Sequence, residues 1–264
     1  MKKDFKKIIL VLVFIFLLIF LVNIIFASLI NKLSFENYIN KIWEQTNSHS
    51  FSIDKIVFFS TCTSDSTINS NSTTTINNLT QFTDIAIFIN NSTAEFNMEN
   101  TLKAVSIKDI SFNTIPNIGT PNLYYKSLTS FATPNVPVEN LLDTELDFKI
   151  SSENQIDYNE PILFNNCANP ITLSYVNSMI TDNYTIANSN PIIYDGSLLK
   201  SCNILLNDLK CSISFTILIE NNLGQKFKCP VYIDIPLESD SSSIYDGSYT
   251  YIFNPNYDFF EYES

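Results

Sequence analysis

The chain contains no arginine. All 15 of its cations are lysines, set against 27 acidic residues for a formal net charge of -12. Nucleic-acid binding thereby loses its electrostatic drive and the forked side chain that best reads guanine, so that class is set aside. Histidine and tryptophan occur once each, as His49 and Trp43. A nucleophilic triad or a catalytic zinc centre needs histidine held by structure, and a sortase-type transpeptidase needs cysteine, histidine and arginine together. None of these chemistries fits the composition. Glycine occurs only four times in 264 residues.

What is abundant is apolar and aromatic: 45% of the residues are hydrophobic, with 21 Phe and 13 Tyr, enough for one sizeable globular core and a further element. Residues 8-30 read "IILVLVFIFLLIFLVNIIFASLI", without a single charge. A run of about 20 such residues is long enough to cross the hydrocarbon of a bilayer as a helix. A cleaved signal peptide has a shorter apolar region and a small-x-small site, which Ile25 before Ala27 fits poorly. Lys2, Lys3, Lys6 and Lys7 precede the span, and only Lys32 and Lys41 follow it closely. The positive-inside rule then leaves residues 1-7 in the cytoplasm and everything after Asn31 outside. A type IV pilin leader would require a glycine cleavage site and a glutamate early in the apolar run, and neither is present.

Phe35, Tyr38, Ile39, Ile42 and Trp43 recur at helical spacing, so residues 31-48 are expected to form an amphipathic helical stalk. From residue 49 the period becomes two. In "CSISFTILIENNLGQKFKCPVYIDIPL" the odd positions from Cys211 to Ile219 and from Phe227 to Leu237 are apolar. Equal parity on both arms demands an odd loop, and Asn222-Leu223-Gly224 supplies it with glycine at the left-handed position. Ile217 then faces Cys229, and Cys211 faces Ile235. Further strands are expected over 51-62, 82-90, 102-113, 146-151, 161-165, 171-181, 184-187 and 248-253, with a bulge at Lys108-Asp109 where the apolar parity switches. Thr63 to Asn78, rich in Ser, Thr and Asn, reads as a long surface loop. Residues 137-144 and 197-209 each have room for a short helix.

The expected fold class is therefore an all-β extracytoplasmic domain, an antiparallel β-sandwich with immunoglobulin-like layering as one arrangement, on a single N-terminal transmembrane helix. The sandwich is placed at 49-255, and 256-264 is read as a loosely ordered acidic aromatic tail.

The residues that invite chemistry have structural readings of equal or greater weight. Asp143, Glu145 and Asp147 have the spacing of a calcium loop, but Phe148 stands where its turn needs glycine, and the alternation reads as the solvated face of a strand. Ser178-Met179 has the start of an anchored signal-peptidase motif without the residues that follow it. Cys62, Cys167, Cys202, Cys211 and Cys229 form no CxxC pair; Cys211 and Cys229 read as small buried hydrophobes. Asn71, Asn78, Asn91 and Asn183 begin Asn-x-Ser/Thr triplets, which arise by chance in so Asn-rich a chain. "IYDGS" occurs at 193-197 and again at 244-248. Its flanks differ, so it reads as one turn type made twice rather than a repeated binding loop.

No catalytic, cofactor-binding or metal-ligating residue is assigned. The expected function is a single-pass, membrane-anchored module for binding, adhesion or envelope assembly. Its expected partners are the lipid bilayer through residues 8-30 and a protein or polysaccharide outside the cytoplasm. The alternative is an anchored hydrolase acting on wall or surface polymers through Asp/Glu pairs. Two or more buried carboxylates in one cleft would favour that alternative.

Overall fold

The computed structural model describes residues 51-69, 73-91, 98-152, 157, 159-187 and 192-262. The expected cytoplasmic segment, membrane helix and stalk, together with Trp43, His49 and Asn71, lie outside the described residues. Among the described residues no helix is long and apolar enough to cross a membrane.

The described chain is almost entirely antiparallel β. Its strands are β1 (Phe51–Ile68), β2 (Thr73–Asn91), β3 (Leu102–Thr114), β4 (Thr120–Tyr125), β5 (Leu146–Ser151), β6 (Ile162–Phe164) and β7 (Ile171–Ser178). They continue as β8 (Tyr184–Ala187), β9 (Ser212–Asn221), β10 (Lys226–Asp234), β11 (Tyr249–Phe253), β12 (Tyr257–Asp258) and β13 (Phe260–Glu261), with one short helix, α1 (Ser197–Ser201). One sheet runs β11-β1-β2-β7-β4, with β12 on β1 and β8 on β2; the other runs β13-β10-β9-β3-β5-β6. The β5–β6 pair is parallel, a short exception to the antiparallel expectation.

The two sheets pack as a sandwich because each presents one apolar face. Ile85, Ile87 and Leu173 from the first meet Ile213, Phe215, Ile217 and Val231 from the second in one buried cluster. A second cluster gathers Ile76, Leu79, Leu198, Leu199, Leu209, Leu237 and Ile244 beneath α1. Between them the inner face turns polar, where Ser60 and Thr83 share a hydrogen bond of 2.8 Å. Gln81 Oε1, Tyr175 OH, Asn177 Oδ1 and Tyr249 OH are buried there without a protein hydrogen-bond partner.

Strands β9 and β10 form the hairpin in the register that parity requires. Ile217 pairs with Cys229, the Ile235 N–H donates to the Cys211 carbonyl at 2.9 Å, and Gly224 takes φ 83°. The bulge also appears: the β3–β9 register shifts between Lys108 and Ser111, with Asp109 at φ 56°.

The structure departs from the sequence expectations at several points. Within Thr63 to Asn78 the described residues are mostly strand rather than loop, since β1 continues to Ile68 and β2 starts at Thr73. Thr, Ser and Ile suit a pleated surface, and the fully buried Ile76 and Leu79 pin the segment to the second cluster. The C-terminal residues are not a loose tail either: β12 pairs with β1, β13 pairs with β10, and Phe259 between them is fully buried. Strand β4 has no alternating signature because Pro121 breaks its pattern; it stands at a sheet edge, where a missing N–H is tolerated.

The two IYDGS copies are not one turn made twice. Asp195 accepts from the Ser197 N–H at 2.9 Å and opens α1, with Gly196 in right-handed helical geometry at φ -58°. The second copy forms a 3-10 turn over Ile244–Asp246, closed by Gly247 at φ 129°. The copies also pack on each other, because a Cβ on Gly196 would lie 2.1 Å from the Ile244 carbonyl oxygen and 2.4 Å from that of Gly247.

Candidate functional site

The residues singled out in the sequence do not converge. Glu145 and Asp147 both turn to Lys108, the first in a close ion pair and the second at 3.7 Å, on an exposed face. This is the solvated strand surface that the alternation implied. Ser178 ends β7 with its hydroxyl on the Thr120 carbonyl at 3.4 Å, and Met179 beside it takes φ 57°. All five cysteines are free thiols; Cys62, Cys202, Cys211 and Cys229 are buried and Cys167 is partly so. Among the described residues no group of His, Cys, Asp and Glu could hold a metal ion.

What the fold does bring together is Asp84 and Lys126, neither of which the sequence reading singles out. Asp84 lies mid-β2 on the outer face of its sheet, and Ser174 pairs with it on β7. Lys126 follows β4, two strands away. Its side chain is 0% exposed and that of Asp84 2%, with Nζ 3.3 Å from Oδ2. Nζ also donates to the carbonyls of Thr133 and Asn135 at 2.7 and 2.8 Å. The Ser174 hydroxyl donates to Oδ1 at 2.6 Å, and the Ala132 N–H donates to Oδ2 at 2.8 Å from a residue at φ 64°.

The segment after β4 therefore folds back over the sheet and encloses one acid and one amine. Burial pushes the Asp84 carboxyl up, opposed by the Ser174 hydroxyl, the Lys126 charge and the Ala132 N–H. Burial pulls the Lys126 ammonium down, opposed by Asp84. Both shifts disfavour charge, as desolvation does for acid and amine alike. In the sequence Asp84 looks like any outward strand residue and Lys126 like any surface lysine. The only signal was a single charge within "QFTDIAIFIN", an otherwise uncharged strand.

A second feature lies on the outer face of the other sheet. A hollow of ≈ 410 Å³ is lined by Asp109, Ser111, Ser214, Thr216 and Tyr232, among others. The Tyr257 hydroxyl donates to the Tyr232 carbonyl at 2.8 Å along its rim. Phe215, Pro230, Val231 and Tyr257 complete the lining, so the hollow mixes one carboxylate and several hydroxyls with a larger apolar share and selects no ligand class by itself.

No protein-family model, curated protein or solved structure matches this chain.

Proposed function

We propose that the protein is a single-pass, membrane-anchored module whose extracytoplasmic β-sandwich serves binding, adhesion or envelope assembly. The observation that carries this reading over a hydrolase is that Asp84 is the only buried carboxylate among the described residues, and it faces a buried lysine rather than a second acid. Glycoside hydrolysis needs two carboxyl groups about 5–9.5 Å apart across the scissile bond. An acid enclosed with a lysine under a folded-back segment is not such a pair.

The strand order adds support. Strands β1-β2-β7-β4 face β3-β9-β10, which is the order of a constant-type immunoglobulin sandwich, with β11 and β5-β6 added at the edges. The hallmark inter-sheet disulfide of antibody domains is missing among the described residues, where every cysteine is free. The anchor rests on the uncharged run of residues 8-30 and the lysines before it.

The deciding experiment holds the full chain in membranes and offers it isolated envelope polysaccharide. Retention without release of new reducing ends is the expected result; release of fragments would make it a hydrolase. Extraction of the chain from membranes by alkaline carbonate would remove the anchor from the reading.

A further inference from the structure

We propose that Lys126 and Asp84 condense to an intramolecular isopeptide bond, a self-made covalent brace across the outer face of the first sheet. The side chains are already in contact, with Nζ 3.3 Å from Oδ2, and both are enclosed. A reaction between groups held this way needs no encounter, and fixed geometry of this kind replaces an enormous effective concentration of free reactant.

The surroundings supply what the step requires. Proton transfer within the pair turns ammonium and carboxylate into amine and carboxylic acid, and the burial that raises one pKa and lowers the other favours this neutral form. No outside base is needed. The Nζ lone pair then attacks Cγ, forming the C–N bond. Negative charge that develops on the carboxyl oxygens meets two preset donors, the Ala132 N–H on Oδ2 and the Ser174 hydroxyl on Oδ1. One C–O bond breaks, and that oxygen departs as water with the carboxyl proton and one from the nitrogen. Nothing is oxidised or reduced, and no co-reactant is consumed. The product amide keeps one N–H, for which the carbonyls of Thr133 and Asn135 already stand as acceptors of Nζ.

The consequence is mechanical. Strand β7 lies between β2 and β4 in the sheet, so a bond from Asp84 to Lys126 would reach across it and tie three neighbouring strands into one unit. It would also fasten the segment that carries Ala132 and Thr133. Such a brace needs no cysteine, in keeping with five thiols that are all free.

The test is the intact mass of the purified full chain, followed by digestion after unfolding with an endoprotease that cuts behind lysine. The expected mass is one water below that of the sequence. Lys126 should resist cleavage, so that fragment 56-103, which holds Asp84, travels joined to fragment 109-149. Asp84→Ala and Lys126→Gln should each show the full mass of their own sequence, with 56-103 released alone. A wild-type chain of full mass, cut normally behind Lys126, overturns the proposal whether or not either variant folds. A missing water with Lys126 still cleaved places the dehydration elsewhere, and overturns it equally.

Discussion

Gly196 and Gly247, the glycines of two identical pentapeptides 51 residues apart in the chain, meet backbone to backbone: a Cβ on Gly196 would stand 2.4 Å from the Gly247 carbonyl oxygen. The repetition is thus neither a repeated ligand loop nor a repeated turn. Each copy supplies a small residue at one contact between α1 and the turn before β11. The approach leaves no room for a side chain.

That contact separates two reasons for keeping a glycine. Gly196→Ala keeps an ordinary helical φ but collides with fixed backbone, so overpacking should cost about 1–3 kcal/mol. Gly224→Ala meets nothing within 4 Å, but at φ +83° it carries only the left-handed penalty, about 1 kcal/mol. Denaturant unfolding of both variants should rank Gly196→Ala as the more damaging. The reverse order would mean that the α1 contact yields easily.

The buried pair predicts a second asymmetry. Removing one member leaves the other enclosed without its partner and also removes the brace proposed above; breaking a buried pair alone typically costs about 3–5 kcal/mol. Lys126→Met and Asp84→Leu should each destabilise strongly. The double variant should recover part of the single-variant loss, because neither polar group is then enclosed without its partner. Equal or worse stability of the double variant, measured by chemical denaturation, would show that packing and not the pair dominates.

The C-terminus offers a third. Phe259 is fully buried and its ring lies 6.3 Å from that of Phe51 at an interplanar angle of 70°. Phe259→Ala should cost about 3–5 kcal/mol, as for other buried aromatics. A loss below about 1 kcal/mol would restore the reading of this segment as a dispensable tail.

Legibility tracked how local the deciding physics was. The β9–β10 hairpin was readable down to its register because parity and a single glycine settle it within 27 residues, Cys211 to Leu237. The Lys108-Asp109 bulge was readable for the same reason. The Thr63 to Asn78 segment misled because its composition matches a loop, whereas burial of Ile76 and Leu79 depends on α1 and the turn at Ile244, more than a hundred residues later. The Asp84–Lys126 centre was invisible for a related reason. Its outward strand position implied solvent, and only the fold-back of the segment through Ala132 removes that solvent.

The hairpin register yields a prediction about oxidation. Cys229 pairs with Ile217, and Cys211 meets Ile235 at the far end of the ladder, so the two thiols share a face about six residues apart, roughly 20 Å at strand rise. A disulfide tolerates a Cα separation of only about 7 Å. Non-reducing peptide mapping of folded protein should never recover Cys211 linked to Cys229. Finding that peptide would require a slipped register that abandons the Gly224 turn.

Thiol reactivity should follow burial and pKa together. Burial pushes Cys167 and Cys229 up to about 12, Cys202 and Cys211 up to about 11, and Cys62 higher still. The thiolate is the nucleophile, so the raised pKa leaves far less of the reactive form at neutral pH. Alkylation of the folded chain should be slow at all five positions. Cys167 has no thiolate advantage over Cys229, but it alone is not fully enclosed, so reagent reaches it without opening the sandwich. Timed alkylation followed by peptide mapping should label Cys167 first and the other four only at the rate of unfolding. Labelling of Cys62 or Cys202 ahead of Cys167 would show that the cluster beneath α1 opens before the rest of the fold.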